Sequence, residues 1–330
     1  METLTRRLLN DFQREFPLHP EPFDCIARKL QTSTGTLLDH LRELQVSGVV
    51  SRVGPVFRPN TVGASTLAAM AVPAAQLEQV AMQINEFPQV NHNYEREHRY
   101  NLWFVVTAQD RQAIDRTLGE IQRQTGYHVM SLPLLKDYHI DLGFHMQFGQ
   151  QEAVQAALGL MRAETPPPGQ RPAGGAEDLI EAIQDGLPLV TRPYADIANR
   201  LGCTEADVIE RLRGMLETGV IKRLGVVVRH RELGYRANAM VVWDVPDERV
   251  DAIGLQLGDQ DCVTLCYQRP RRLPDWPYNL FCMLHGKDRS EVEACIERTA
   301  AVLDIGTLPH AVLFSGRRFK QRGARYRYQR

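Results

Sequence analysis

Apolar side chains at Leu8, Leu9, Phe12 and Phe16 fall at helical spacing, the signature of one buried face. Two shorter helices follow, Pro22–Leu30 and Ser33–Gln45, and Gly48 stops the second. Val49–Phe57 is apolar and β-like, with Gly54–Pro55 near its end. Three helices and a small β-wing predict a winged helix-turn-helix. Beyond it, strands and helices alternate. Thr66–Val72 reads as a strand, and Ala75–Phe87 as a helix with Leu77, Val80, Ala81, Ile84 and Phe87 on one face. Tyr94–Val106 reads as the next strand, and Asp110–Thr125 as a helix with Ile114, Leu118 and Ile121 inward, ended by Gly126. His128–Leu135 closes the unit. The order βαββαβ predicts a ferredoxin-like domain.

The pattern then starts again. Leu179–Ala198 repeats Leu8–Ala27 at an offset of 171, with Pro17, Leu18, Pro22, Ile26, Ala27 and Leu30 matching Pro188, Leu189, Pro193, Ile197, Ala198 and Leu201. The register continues through Gly48, Arg52, Gly54 and Arg58 against Gly219, Arg223, Gly225 and Arg229. With small gaps it reaches Tyr94 and Arg96 against Tyr267 and Arg269, Asn101–Leu102 against Asn279–Leu280, and Leu132–Pro133 against Leu308–Pro309. The second set of elements is Ala239–Val245, Glu248–Leu257, Cys262–Gln268, Asn279–His285, Ser290–Val302 and Thr307–Phe314. The expected fold class is therefore α+β: two tandem homologous halves, each a winged helix-turn-helix followed by a ferredoxin-like domain. The domains run 1–60, 61–150, 177–230 and 231–330, joined by a 151–176 segment with a helix and a Pro/Gly-rich linker, Glu164–Ala176.

Composition narrows the class. Hydrophobic residues make up 43% and charged residues 24% of 330, the balance of a globular protein with a sizeable core. No long apolar run predicts a membrane span, and the amphipathic, charged N-terminus is unlike a signal peptide. Six scattered cysteines without a CxxC pair favour reduced thiols and a cytoplasmic protein.

The helix-turn-helix units suggest DNA binding, and a winged helix followed by βαββαβ resembles the Lrp/AsnC regulators. Charge argues otherwise. Residues 32–44 set Arg42 against Asp39 and Glu43; residues 203–217 set Arg211 and Arg213 against Glu205, Asp207, Glu210 and Glu217. Acids in the first turn suit the helix dipole and repel phosphate. Both units read as structural, and no nucleic-acid partner is expected.

Candidate chemistry concentrates in Asn91–Val106. Read as one strand, its period of two places Tyr94, Arg96, His98 and Tyr100 on a single face, with Trp103 further along. A cation, an imidazole and phenols there suit a large, flat anion better than a core. His139 and His145 lie just past the last strand, in Leu134–Phe148, from where the chain could bring either towards His98. Such histidines could move protons near neutral pH or ligate a haem iron. The second copy keeps Tyr267 and Arg269, lacks a counterpart of His98, inserts Leu273–Tyr278 and gains Arg271 and Arg272. The tail from Arg317 holds seven cations and no acid, which suits a solvated or nucleic-acid-binding end, or a polycarboxylate ligand. GxGxxG, P-loop, GxSxG and HExxH motifs are absent, and no Cys–His set predicts a zinc site.

YEREHRYNLWFVV, KDYHIDLGF, RPRRLPDWPYNLFC and LPHAVLFSGRRFKQRGARY together resemble the siroheme decarboxylases of haem d1 biosynthesis in their fused form. The resemblance spans nearly the whole chain, the first half similar to D-type and the second to L-type subunits. It implies an Lrp/AsnC-like fold that does not act on DNA. It also implies conversion of siroheme to 12,18-didecarboxysiroheme by loss of CO2 from two acetate side chains. No cofactor is implied, since the iron arrives with the substrate, and companion decarboxylase subunits are possible partners. On that basis His98 and His139 are the expected proton-transfer residues. Tyr94, Arg96, Tyr100, Trp103, His145, Tyr267, Arg269, Arg271 and His310 are the expected substrate-binding set, with no metal ligand of the protein's own. A tetrapyrrole-sensing regulator and a non-catalytic tetrapyrrole carrier are the alternatives.

Overall fold

A computed structural model describes residues 2–14, 16–58, 61–140, 176–228 and 237–326. The linker before Ala176, His145 and His230 lie outside the described residues. The first half contains α1 (Glu2–Asp11), α2 (Pro22–Lys29), α3 (Thr34–Val46), β1 (Val50–Phe57), β2 (Ala64–Met70), α4 (Leu77–Glu86), β3 (Val90–Arg96), β4 (Leu102–Ala108), α5 (Arg111–Thr125), β5 (Met130–Pro133) and β6 (Lys136–Ile140). The second contains α6 (Ala176–Ile183), α7 (Pro193–Leu201), α8 (Glu205–Glu217), β7 (Ile221–Val228), β8 (Ala237–Trp243), α9 (Val250–Gly258), β9 (Val263–Gln268), β10 (Leu280–Gly286), α10 (Arg289–Val302) and β11 (His310–Gln321). No described helix is long and apolar enough to cross a membrane.

These elements sort into two compact units by type, not by half: the two helix-turn-helix parts make one, the two ferredoxin-like parts the other. In the first unit, proline opens both α2 and α7, where a missing N–H costs nothing. Ser33 caps α3, and Thr204 caps α8 in a reciprocal capping box with Asp207. The Thr204 hydroxyl and amide hold the Asp207 carboxyl below the usual range. Arg42 of α3 binds Asp39 and the Leu189 carbonyl of the other half. A reading helix would need that cation for phosphate.

The expected wing is not a hairpin within each half. β1 pairs antiparallel with β7, with Gly54 directly opposite Gly225. Each glycine lets the other half's chain approach: a Cβ on Gly54 would sit 2.8 Å from Gly186 Cα, and one on Gly225 2.3 Å from the Gln13 carbonyl oxygen. Hydrogen bonds follow the same exchange, Leu187 N–H to Val53 O at 2.7 Å and Val226 N–H to Phe12 O at 2.8 Å.

In the second unit the strand order is β5-β2-β4-β3-β11-β8-β10-β9-β6. Its first and last members are separated only by Leu134 and Leu135, so the two ends of the strand order are consecutive in the chain. The last strand of each half is shared: β5 pairs with β2 and β6 with β9, while the start of β11 pairs with β8 and its end with β3. Each half packs its own helices on the outer face, around Val80, Ile84, Phe104, Ile114 and Ile121 in one and Ile253, Leu257, Cys282, Val292 and Ile296 in the other. The inner faces meet on Trp103, Leu132, Met240, Trp276, Phe281 and Leu313.

Four sequence expectations change here. The stretch Tyr94–Val106 is not one strand, since β3 ends at Arg96 and residues 97–101 form a tight connection before β4. Leu132 corresponds to Leu313, not Leu308, because Leu132 faces Leu67 and Leu313 faces Met240 at matching places in the two ladders. Cys262 and Cys295, expected as thiols, form a disulfide. The start of the tail, to Gln321, is strand and not a free basic end: Arg317 pairs with Glu95 and Glu78, and Lys320 donates to the Asn85 and Phe87 carbonyls at the end of α4. That half-buried ammonium is pushed down to about 8 by desolvation.

Candidate active site

Strand alternation sets up the inner face. Tyr94 stands opposite Trp103 on β4, and Tyr267 opposite Phe281 on β10, so both tyrosines and the arginines two residues on share the inter-sheet side. Arg96 and Arg269 are related by the repeat and make equivalent bonds. Arg96 Nη1 donates to the Leu313 carbonyl at 2.9 Å, and Arg269 Nη1 to the Leu132 carbonyl at 2.6 Å. Each therefore grips the shared last strand of the opposite half. Arg96 Nη2 also meets Met283 Sδ at 3.7 Å. Arg269 lies over the rings of Tyr267 and Phe281, at 5.3 and 5.9 Å.

Neither arginine forms an ion pair among the described residues. Burial pulls both guanidinium groups down to about 10, and the phenol of Tyr267 upward. Arg269 Nε is buried with no hydrogen-bond partner among the described residues. Desolvated cations without a counter-charge are expensive, a cost that a bound anion would offset.

A second repeated device holds the loops beside these arginines. Asn101 binds the backbone of Val72 through both amide atoms, at 3.0 and 2.8 Å, and Asn279 binds Val245 likewise at 2.9 and 2.9 Å. Arg96 N–H then closes onto Asn101 O, and Arg269 N–H onto Asn279 O. Between these fixed points the first half has a four-residue connection, and the second half the longer one carrying the 273–278 insertion. The Leu273–Pro274 peptide is cis.

His98 sits in the short connection, half-buried. The Tyr100 backbone N–H donates to its Nδ1 at 3.0 Å. That bond requires Nδ1 to be unprotonated, which leaves the ring proton on Nε2. Burial, and then the charge of Arg99, lower the imidazole below its ordinary range. His98 is thus a neutral ring offering an Nε2–H donor. Protonating Nδ1, as a general-acid role requires, would turn it against the Tyr100 amide.

The other expected residues are distributed more widely. Tyr100 and Trp103 join the inner cluster, and Trp103 Nε1 donates to Tyr100 O at 2.6 Å. Burial and Asp275 raise the Tyr100 phenol. His139 is not brought to His98: it stands opposite Cys266, a member of the helix-packed core, with Gly258 of α9 making room for its Cβ. A register shift between Asp137 and His139 decides that face. His310 stands opposite Trp243, also in the helix-packed core, is exposed, and donates from Nδ1 to Leu308 O. Arg271 is committed to Asp244, Asp247 and the Val245 carbonyl, so it reinforces the Asn279 clamp instead of waiting for a ligand. Sequence reading passed over Trp276 and Tyr278. Their signal was the insertion itself, read there for the histidine it lacks.

Comparison with known proteins agrees with this architecture. Residues 62–139 and 232–320 match the AsnC-like ligand binding domain, and residues 5–50 and 177–222 the siroheme decarboxylase NirDL-like HTH domain. The siroheme decarboxylase NirDL subunit of Paracoccus denitrificans (strain Pd 1222) is 43% identical over 98% of this chain and 97% of its own. A crystal structure of the siroheme decarboxylase NirDL superposes with a TM-score of 0.69 at 27% identity, covering 98% of this chain and 94% of that one. Its co-complex with an iron-uroporphyrin III analogue gives 0.66 at 27% identity, covering 98% and 93%. The inner face with its two unpaired arginines is thus set in an architecture shared end to end with these proteins, and the chain belongs to the siroheme decarboxylase NirDL family.

Proposed function

We propose that this protein decarboxylates siroheme, converting two acetate side chains to methyl groups to give 12,18-didecarboxysiroheme. The observation that carries this reading is the pair of guanidinium groups, Arg96 buried and Arg269 partly buried with its Nε out of solvent, neither paired with an acid among the described residues, on an inner face lined with aromatic rings. A flat apolar macrocycle rimmed by carboxylates is the ligand such a surface suits. Family membership and a relative's complex with an iron-tetrapyrrole point the same way.

For each acetate, the bond to the carboxyl carbon breaks and CO2 leaves. Its electron pair passes into the conjugated macrocycle, and one proton then enters at the methylene to make a methyl. The change is redox-neutral, so the reading calls on no cofactor beyond the iron that the substrate carries. Arg96 and Arg269 bind and orient carboxylates, and the apolar inner face removes water, which favours loss of a charged group as neutral CO2. His98 acts as a fixed Nε2–H donor to the substrate, not as the acid.

The test is anaerobic incubation of the purified protein with siroheme, without added reductant or nucleotide, followed by mass spectrometry. Loss of two CO2 units is the expected result. A bound tetrapyrrole of unchanged mass would overturn the enzymatic reading and leave a carrier.

A further inference from the structure

We infer that Trp276, from the insertion in the second half, is a substrate-binding residue whose indole N–H donates to the carboxylate of a reacting acetate. The inference rests on the decarboxylase reading above and adds a donor from the opposite half to the place where His98 stands.

Trp276 is completely buried, and its Nε1 has no hydrogen-bond partner among the described residues. Its neighbours are the rings of His98 at 5.5 Å, Tyr100 at 5.9 Å, Trp103 at 5.2 Å and Tyr278 at 4.9 Å. Its backbone is pinned by reciprocal hydrogen bonds with Arg272, both 2.7 Å, and Arg272 is tied to Ser131 O. Asp275 next to it reaches towards Arg99, at 3.8 Å, in the connection that carries His98. The indole is therefore held beside His98 by both halves.

A buried indole N–H normally finds an acceptor, as Trp103 does, because leaving it unmet forfeits its hydration. Beside it, His98 presents a second N–H and no acceptor, since its Nδ1 is already occupied. The missing partner is then an acceptor with more than one lone pair to share, and a carboxylate is the chemical group that meets both donors. Trp243 Nε1 also has no partner among the described residues, but it lies in the helix-packed core on the outer side of the sheet. It provides an internal control.

The experiment is Trp276→Phe, with Trp243→Phe alongside, read by binding of siroheme and of 12,18-didecarboxysiroheme in the full-length protein. Loss of a hydrogen bond to a charged group predicts siroheme binding weaker by roughly 10- to 100-fold in Trp276→Phe. Binding of the product, which lacks the two acetates, should not change, and Trp243→Phe should match wild type for both. Equal losses for substrate and product would mean that Trp276 only supports the fold, and wild-type affinity for siroheme would mean that the N–H meets no substrate; either overturns the inference. If the phenylalanine variant does not fold, 3-benzothienylalanine at 276 keeps the ring shape and removes only the N–H, with the same expected split. Wild-type protein that fails to release CO2 would instead count against the decarboxylase reading itself.

Discussion

Replacing Arg96 with methionine should separate binding from stability. Arg96 is 8% exposed, and burial takes its guanidinium from 12.5 to about 10. At about 1.4 kcal/mol per tenfold, that is roughly 3 kcal/mol against holding the charge inside. Its charge-assisted bond to the Leu313 carbonyl returns about 1.5–3 kcal/mol. The two nearly cancel. Arg96→Met should therefore shift the unfolding free energy by no more than about 2 kcal/mol, well short of the 3–5 kcal/mol typical of breaking a buried ion pair. Siroheme binding should behave differently, because a desolvated cation facing a carboxylate is lost. At about 2–3 kcal/mol, the dissociation constant rises roughly 30- to 150-fold. Urea unfolding followed by circular dichroism gives the first number, and titration of the tetrapyrrole absorbance the second. Arg269→Met should act in the same direction. A fall in stability of more than about 4 kcal/mol with unchanged affinity would refute the reasoning and make the arginine scaffold.

Four further outcomes are expected. Asn101→Ala and Asn279→Ala each strip two hydrogen bonds from a buried backbone and should lower stability by about 2–3 kcal/mol in urea, roughly additively. His98→Gln should keep measurable turnover by restoring an N–H near Nε2, whereas His98→Ala should lose on the order of 10²-fold; a glutamine variant as inactive as alanine would reinstate His98 as an acid. Because the folded imidazole titrates below its unfolded value near 6.5, its stabilising contribution is full above that pH and is lost as pH falls through the folded value; turnover per bound substrate should show the same acid limb. Alkylation of denatured protein should label four cysteines before reduction and six after, checked by intact mass; six before reduction would contradict the Cys262–Cys295 bond.

Much of the fold was legible because it is local. The periods that predict helices and strands, the proline and Ser/Thr starts and the duplicated register all lie within short windows, and two copies reinforced each other. The exceptions depend on the chain meeting itself far away. β1 and β7 each look like half of a wing, and only their joining shows that the partner is the other half. Aromatic and charged alternation ran on through Glu97–Tyr100 and concealed the turn that Asn101 closes. At the site, Arg96 and Arg269 were visible as a repeated Tyr-x-Arg. Arg271 looked equally available because Asp244 and Asp247 lie more than twenty residues away in sequence. His139 was misplaced because one register shift exchanges the faces of a strand, and composition does not reveal such a shift.

The shared last strands bear on how this protein could be divided. β6 completes the edge beside β9, and the end of β11 completes the edge beside β3. Each half therefore carries a strand that fits its neighbour and an edge that needs one. A half-length polypeptide would expose both at once, in positions related by the repeat, and such a surface is self-complementary. Two copies of one half would satisfy each other, yet they would lose a feature that needs both halves: a short histidine-bearing connection facing a long tryptophan-bearing one. Covalent fusion thus guarantees unlike neighbours, where free subunits would have to choose between partner and twin.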